Sequence, residues 1–327
     1  MPITLGQHTL PNRVLLAPLS GITDVTFRRL ACRFGAALTF SEMVVGRELL
    51  TGSNEGIRRA TKGADDLPMA VQLAGNDPET MGQAAQVACE MGADLIDINM
   101  GCPAKKVCNG YAGSALMQDL NLASQIIDNV VQRAPVPVTL KMRTGWDEQH
   151  RNAPELAMKA EVLGVNLITV HGRTRTQLYK GQADWRFVRE VKDAVSVPVV
   201  INGDVTSTAT AEEALDQSGA DAVMIGRGSQ GKPWLPGVIG AELEGKIACE
   251  PDQDEIAAIV SEHFEGMLDE HGVLLGVRCF RKHFAWYVEH LPHGPAMRKL
   301  LNTLEEPSAV LDVISRTFTD NAGAMAA

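Results

Sequence analysis

Eight short apolar segments rich in Val, Ile and Leu recur along this 327-residue chain, at residues 14–18, 38–42, 69–73, 95–99, 136–142, 167–171, 197–202 and 222–225. Their spacing, roughly 25 to 35 residues, leaves room for one helix between each pair, which is the rhythm of a β/α barrel. Parallel strands covered on both faces read as continuous apolar runs, and these do. The intervening stretches carry helix-start signals: Asp24 before Val-Thr-Phe, Asp77-Pro-Glu, Asp119-Leu-Asn and Thr206-Ser-Thr. Gly35, Gly92, Gly164 and Gly219 follow four of the helices and are expected to cap them in a left-handed conformation before the next strand. A doubly wound open sheet is the main rival, but it seldom needs eight such evenly spaced units.

Past about residue 245 the pattern changes. Residues 254–318 contain no strand-like run, and Ile256, Ile259, Val260, Phe264, Met267 and Leu268 recur at helical spacing. The expected organisation is therefore an α/β TIM-type (β/α)8 barrel over 1–245, a small all-helical domain over 246–320, and a disordered tail at 321–327. Pro251 marks the junction.

With 45% hydrophobic residues the chain can bury one large core and a second smaller one. No apolar run approaches the roughly 20 residues of a membrane helix. The start, Met-Pro-Ile-Thr-Leu-Gly-Gln, lacks a signal-peptide pattern, so a cytoplasmic location is expected. Six cysteines (32, 89, 102, 108, 249 and 279) form no Cys-x-x-Cys pair, which argues against a disulfide framework and against a structural zinc site; no metal is expected. His150, His263, His271, His290 and His293 show no ligand spacing and read as surface or packing residues. A formal charge of −10 speaks against a generally basic surface without excluding a local basic groove.

In a β/α barrel, chemistry sits at the C-terminal ends of the strands. Polar residues cluster there on strand after strand: Pro18-Leu19-Ser20, Gln72, Asp97 and Asn99, Lys141 and Arg143, His171 and Arg173, Asn202-Gly203-Asp204, and Gly226-Arg227-Gly228. Cys102 stands in a Gly/Pro turn straight after the fourth strand, where a thiol can act as acid or nucleophile; buried cysteines elsewhere are mostly packing residues. The set suits flavin mononucleotide (FMN). Gly203 and Gly226 to Gly228 stand where such barrels bind phosphate. Lys141 is the cation to stabilise a reduced ring, Gln72 a partner for its pyrimidine edge, and His171 a flavin or substrate contact. Gly226-Arg-Gly-Ser-Gln-Gly231 also matches the dinucleotide pattern Gly-x-Gly-x-x-Gly, but no second strand follows it, as a Rossmann unit requires.

Across these segments the chain resembles the tRNA-dihydrouridine synthases, most closely the bacterial DusB subgroup. The resemblance is carried by Ala17-Pro-Leu-Ser-Gly-Ile-Thr-Asp24, Val71-Gln-Leu73, Asp97-Ile-Asn-Met-Gly-Cys-Pro-Ala-Lys-Lys-Val107, Leu140-Lys-Met-Arg-Thr-Gly-Trp146, Val170-His-Gly-Arg-Thr-Arg175, Ile201-Asn-Gly-Asp204 and Met224-Ile-Gly-Arg-Gly228. In the helical part it rests on Arg278-Cys-Phe-Arg-Lys-His-Phe-Ala-Trp-Tyr287. Leu19 stands where the family usually has Met, and the loop Val107-Cys-Asn-Gly-Tyr111, with Cys108, departs from the commoner pattern.

The resemblance implies an FMN enzyme that reduces specific uridines of the tRNA D-loop with electrons from NADPH, acting as a monomer. It implies that Pro18, Leu19, Ser20, Gln72, Lys141, His171, Asn202, Gly203, Asp204, Gly226 and Arg227 bind FMN. Cys102, a thiol with a reference pKa near roughly 8.5, would protonate C5, while Asn99 and Arg143 hold the uracil edge. Residues 250–320 contain six Lys or Arg against thirteen Asp or Glu. Phosphate affinity would then come from a local stripe, Arg278, Arg281 and Lys282, whose alternative is a solvated basic face. An FMN barrel acting on a free pyrimidine or small enone shares the same chemistry without needing the helical domain, and a non-catalytic RNA-binding barrel would require loss of strand-end residues.

Overall fold

The computed structural model describes residues 2–63 and 68–319; the expected tail at 321–327 lies outside the described residues. A two-strand hairpin, β1 (Thr4–Leu5) with β2 (His8–Thr9), precedes the repeating part. Each apolar run then forms a parallel strand: β3 (Val14–Leu16), β4 (Thr39–Phe40), β6 (Met69–Ala74), β7 (Leu95–Met100), β8 (Val138–Arg143), β9 (Leu167–His171), β10 (Val199–Asn202) and β11 (Ala222–Ile225). A further short strand, β5 (Val44–Val45), pairs with the end of β6. The order β3-β11-β10-β9-β8-β7-β6-β4 closes on itself where Leu15 bridges Leu38, so the sheet is a barrel and not an open doubly wound sheet.

Helices α1 (Val25–Arg33), α2 (Gly46–Leu50), α3 (Asn54–Ala60), α4 (Pro78–Glu90), α5 (Lys105–Cys108), α6 (Leu120–Arg133), α7 (Ala153–Val162), α8 (Trp185–Ala194), α9 (Thr208–Ser218) and α10 (Leu235–Glu242) fill the crossovers. The start signals act as caps. Asp24 accepts from the Phe27 N–H, Asp77 from Thr80 and Asp119 from Leu122, and Ser207 forms a capping box with Thr210; each such cap contributes about 1 kcal/mol. Gly35, Gly92, Gly164 and Gly219 all take positive φ.

Side chains alternate along each strand between two cores. One parity, including Val71, Ile96, Ile98, Leu140, Ile168 and Ile201, packs under the helices. The other faces the barrel axis and changes character along the strand. At the N-terminal end it is apolar, with Phe40, Ala70, Leu95, Leu167, Val200 and Ala222 in one cluster with Ile3, Leu5 and Leu10 from the hairpin region, which plugs that end. At the C-terminal end the same parity carries Gln72, Asp97, Asn99, Thr139, Lys141, Arg143, Thr169, His171 and Asn202, held in register by the ladders.

The second strand is shorter than its apolar run. The Gln72 N–H bonds to the Ser41 hydroxyl, so a side chain replaces the ladder there and pairing resumes only at Val44. β8 and β10 begin after Pro137 and Pro198, which have no N–H to give a ladder.

The described residues beyond 250 form four helices, α11 (Gln253–His271), α12 (Val273–Tyr287), α13 (Gly294–Leu301) and α14 (Pro307–Thr319). Asp252 begins α11 with a capping box to Glu255. Their core is not self-contained: Leu30 of α1 and Trp234 share it with Phe264, Phe280 and Phe284. Gly266 permits this close approach, since a Cβ there would lie 2.1 Å from Thr26 Oγ1. Arg29 and Arg33 both pair with Glu262 across the junction, at 3.1 and 2.7 Å.

Candidate active site

The polar layer at the barrel mouth is tied by two groups of hydrogen bonds, one on β6 to β8 and one joining β8 to β10. Asp97 Oδ1 accepts from Thr139 Oγ1 at 2.6 Å and Oδ2 from Gln72 Nε2 at 2.7 Å. Gln72 Oε1 in turn accepts from Asn99 Nδ2 at 2.7 Å. Asn99 Oδ1 accepts the backbone N–H groups of Gly101 and Cys102, at 3.1 and 2.9 Å. On the far side Lys141 Nζ donates to Asn202 Oδ1 at 3.1 Å, and Asn202 Nδ2 to the Met224 carbonyl. Burial raises the Asp97 carboxyl against the pull of its Gln72 and Thr139 hydrogen bonds. Burial, with Arg143 beside it, lowers the Lys141 ammonium.

Cys102 follows this layer on the loop after β7 and is half-buried. Its carbonyl is anchored by the Ser114 N–H and hydroxyl, at 3.0 and 2.9 Å, and faces the thiol of buried Cys108 at 3.5 Å. Cys108 thus packs under the loop as a support. Burial raises the Cys102 thiol pKa, partly opposed by the Ala104 N–H and by Arg143 and Lys141, so at neutral pH the sulfur keeps its proton.

Arg143 is almost fully buried and spans the gap to the next loop. Its Nε donates to the Gly101 carbonyl at 2.8 Å, and Nη1 to those of Thr174 and Leu178 at 2.8 and 2.9 Å. Asn99 and Arg143 were expected at the uracil edge; what they hold here is the cysteine loop from both sides.

A second anchor lies at the ends of β9, β10 and β11. Arg173 is 2% exposed and donates to Lys180 O, Gly181 O and Asp204 Oδ2, the last at 2.6 Å. Asp204, at φ 60°, also takes Arg227 at 3.4 Å and the Ala183 N–H at 2.8 Å. Gly203 sits at φ 114°, and a Cβ there would meet His171 Cδ2 at 2.8 Å, so its backbone alone can lie this close to the mouth. Burial and the surrounding Arg143, Lys141, Arg173 and Arg227 push His171 far below its usual pKa, leaving a neutral imidazole. The Tyr179 ring lies between Arg143 and Arg227, 5.6 and 4.7 Å from their guanidinium carbons.

The strand-end residues Gln72, Asn99, Cys102, Lys141, Arg143, His171, Asn202, Gly203, Asp204, Gly226 and Arg227 are therefore gathered at one mouth. Pro18 and Leu19 are half-buried and Ser20 exposed on the loop after β3, and Leu19 comes within 3.8 Å of a Cβ position at Gly226. Arg173 and Tyr179 were missed as site residues. Arg173 was visible as a strand-end cation; Tyr179, on a loop with no pattern, gave no signal. The basic stripe on α12 is divided: Arg278 is exposed, Arg281 donates to the Leu304 carbonyl within the bundle, and Lys282 reaches toward Gly21 at the barrel.

A family model described as dihydrouridine synthase matches residues 15–323. A probable tRNA-dihydrouridine synthase of Rhizobium leguminosarum is 52% identical over 286 residues, covering 88% of this chain and 87% of that protein. One from Rhodobacter capsulatus is 47% identical and covers 99% of this chain and 100% of its own length. tRNA-dihydrouridine synthase B of Pseudomonas aeruginosa is 43% identical, covering 97% and 96%. Among solved structures, an old yellow enzyme homologue from Zymomonas mobilis superposes with a TM-score of 0.53 at 17% identity, covering 76% of this chain and 93% of that one. A 2-naphthoyl-CoA reductase gives 0.58 at 13%, covering 75% and 52%. At these identities the two structures speak for the barrel alone.

Proposed function

Because the chain belongs to the dihydrouridine synthase family, we propose that its barrel mouth binds FMN and reduces uridines of the tRNA D-loop to 5,6-dihydrouridine, with NADPH as the electron source. The observation that carries this reading is Cys102: a thiol kept protonated, on a loop anchored from both sides, next to Lys141.

The residues fit the cofactor. Gly203, whose Cβ position is filled by His171, and Arg227 beside Gly226 make a cradle for a phosphate, with the buried Arg173 and Asp204 fixing its wall. Lys141 faces the mouth as an ammonium whose pKa is lowered by burial to about 8, and an anionic ring beside it would raise that pKa again. When bound, the flavin supplies a hydride to uracil C6. Cys102 gives its Sγ proton to C5, completing addition of two hydrogens across the C5–C6 bond; the thiolate left behind is stabilised by Arg143 and Lys141. Three of the five Arg143 N–H groups hold backbone carbonyls, and Nη2 is the edge that remains for a uracil oxygen. Because a uridine inside folded tRNA is stacked, the base must turn out into the mouth, beside the half-exposed Tyr179 ring.

The test is dihydrouridine content of tRNA from a deletion strain complemented with wild type or Cys102→Ala. Dihydrouridine restored only by wild type supports the reading. Unchanged tRNA in the deletion, with reduction of a free pyrimidine or enone by the yellow protein, overturns it.

A further inference from the structure

Where the barrel meets the helical bundle, three side chains unused at the mouth converge. Asp24 Oδ2 lies 3.7 Å from His263 Nε2 and 3.8 Å from His283 Nε2, and one ligand atom from each falls within 4.8 Å of the others. Asp24 is 2% exposed, His263 0% and His283 1%. They come from the α1 cap, α11 and α12, so no local sequence spacing could have joined them. Asp24 Oδ2 and the Nε2 atoms of His263 and His283 that face it lie beyond hydrogen-bond distance of one another and find no other partner among the described residues. Polar atoms buried in this way are costly unless something binds them.

We propose that Asp24, His263 and His283 bind one divalent transition-metal ion, zinc by preference of the donors, in a buried site that fastens the helical bundle to the first β/α loop. A point equidistant from three atoms at these separations lies no more than about 2.4 Å from each, a few tenths of an ångström outside zinc–nitrogen and zinc–carboxylate bonds of about 2.0–2.2 Å. Two imidazoles and one carboxylate suit zinc and its neighbours rather than magnesium or calcium, which want oxygen. The supporting groups are in place. Tyr287 Oη lies 3.0 Å from His263 Nδ1, and the tautomer in which Nδ1 donates to it is the one that frees Nε2 for a metal. Asp24 Oδ1 is fixed by the Phe27 N–H at 2.8 Å, so Oδ2 is the oxygen available. Asp24 also lines a cavity of about 560 Å³ with Gly21, Glu42, Glu270 and Lys282, which borders the cluster on the side away from the two histidines.

The experiment is elemental analysis of the full-length enzyme, grown with zinc and purified without chelator, beside Asp24→Asn, His263→Gln and His283→Gln. About one equivalent of a transition metal per chain is expected in wild type, falling at least tenfold in every variant that folds. Asp24→Asn retains the helix cap and side-chain volume, so it separates loss of metal from loss of fold. Cobalt-grown wild type should show a visible ligand-field band that these variants lack. Wild type with less than about a tenth of an equivalent of any transition metal, or metal content unchanged in the variants, overturns the proposal and assigns the centre to a bridging water. Metal content does not depend on uridine reduction, so this result stands apart from the reading of the mouth.

Discussion

Two buried polar clusters lie on either side of the first β/α loop, and they solve the problem of burial in opposite ways. At the mouth, Gln72, Asp97, Asn99 and Thr139 bond to one another across neighbouring strands, and Lys141 donates to Asn202. At the bundle junction, Asp24, His263 and His283 face one another just beyond hydrogen-bond reach. The first arrangement is rigid before any ligand arrives, which suits a surface that must present groups at fixed positions. The second is incomplete as protein alone. Satisfied polar networks thus mark where a ligand is read, and unsatisfied ones where something must be held.

The sharpest way to break this comparison is Cys102→Ala. The mouth network does not include the sulfur, so flavin absorbance and tRNA affinity should persist while uridine reduction in single-turnover assays falls on the order of 10²- to 10⁴-fold. Near-normal turnover would show that another group delivers the proton. Lys141→Ala should slow flavin reduction about 10²-fold or more, the usual cost of removing a preorganised charge at a developing anion. Its lowered pKa gives a sign for pH: the ammonium is lost earlier on the alkaline side than an ordinary lysine, so the wild-type reductive rate should fall there. Lys141→Arg should flatten that limb in a stopped-flow pH series.

A smaller effect is expected at the cradle. Asp204→Asn removes the charge that holds Arg173 and Arg227, and FMN affinity measured by fluorescence quenching should weaken about tenfold, or 1.4 kcal/mol. Unchanged affinity would separate this ion-paired corner from the phosphate. The smallest effects concern α12. Arg278→Ala should lower the log–log salt slope of tRNA binding by up to about 0.9 if that side chain meets a duplex-like phosphate. Arg281→Ala should leave the slope alone and cost about 1 kcal/mol in denaturant unfolding, because its guanidinium serves the Leu304 carbonyl.

Local rules made much of this molecule legible. The eight apolar runs, the caps at Asp24, Asp77 and Asp119, and the glycines at positive φ follow from periodicity and backbone chemistry, and the strand-end polar residues come together because barrel topology puts all such ends at one mouth. What could not be read was whatever joins distant segments. Ser41 breaking the second strand depends on reaching Gln72, and Tyr179 reaches Arg143 and Arg227 from a patternless loop. Asp24 was legible as a helix cap through one oxygen, while its other oxygen faces histidines 239 and 259 residues away, outside the range of any sequence period.

The hairpin at the start of the chain bears on the order of events at the opposite end. Among the described residues Ile3, Leu5 and Leu10 pack onto the barrel floor and close that end, leaving a cup that opens at the C-terminal ends of the strands. Whatever donates electrons and whatever receives them must come and go through the same door. On the proposed reading, the nicotinamide and the turned-out uridine cannot both be seated, so the enzyme works by turns. Initial-rate plots against both substrates should then give parallel lines, and excess tRNA should slow the reductive half of the cycle by standing in the doorway.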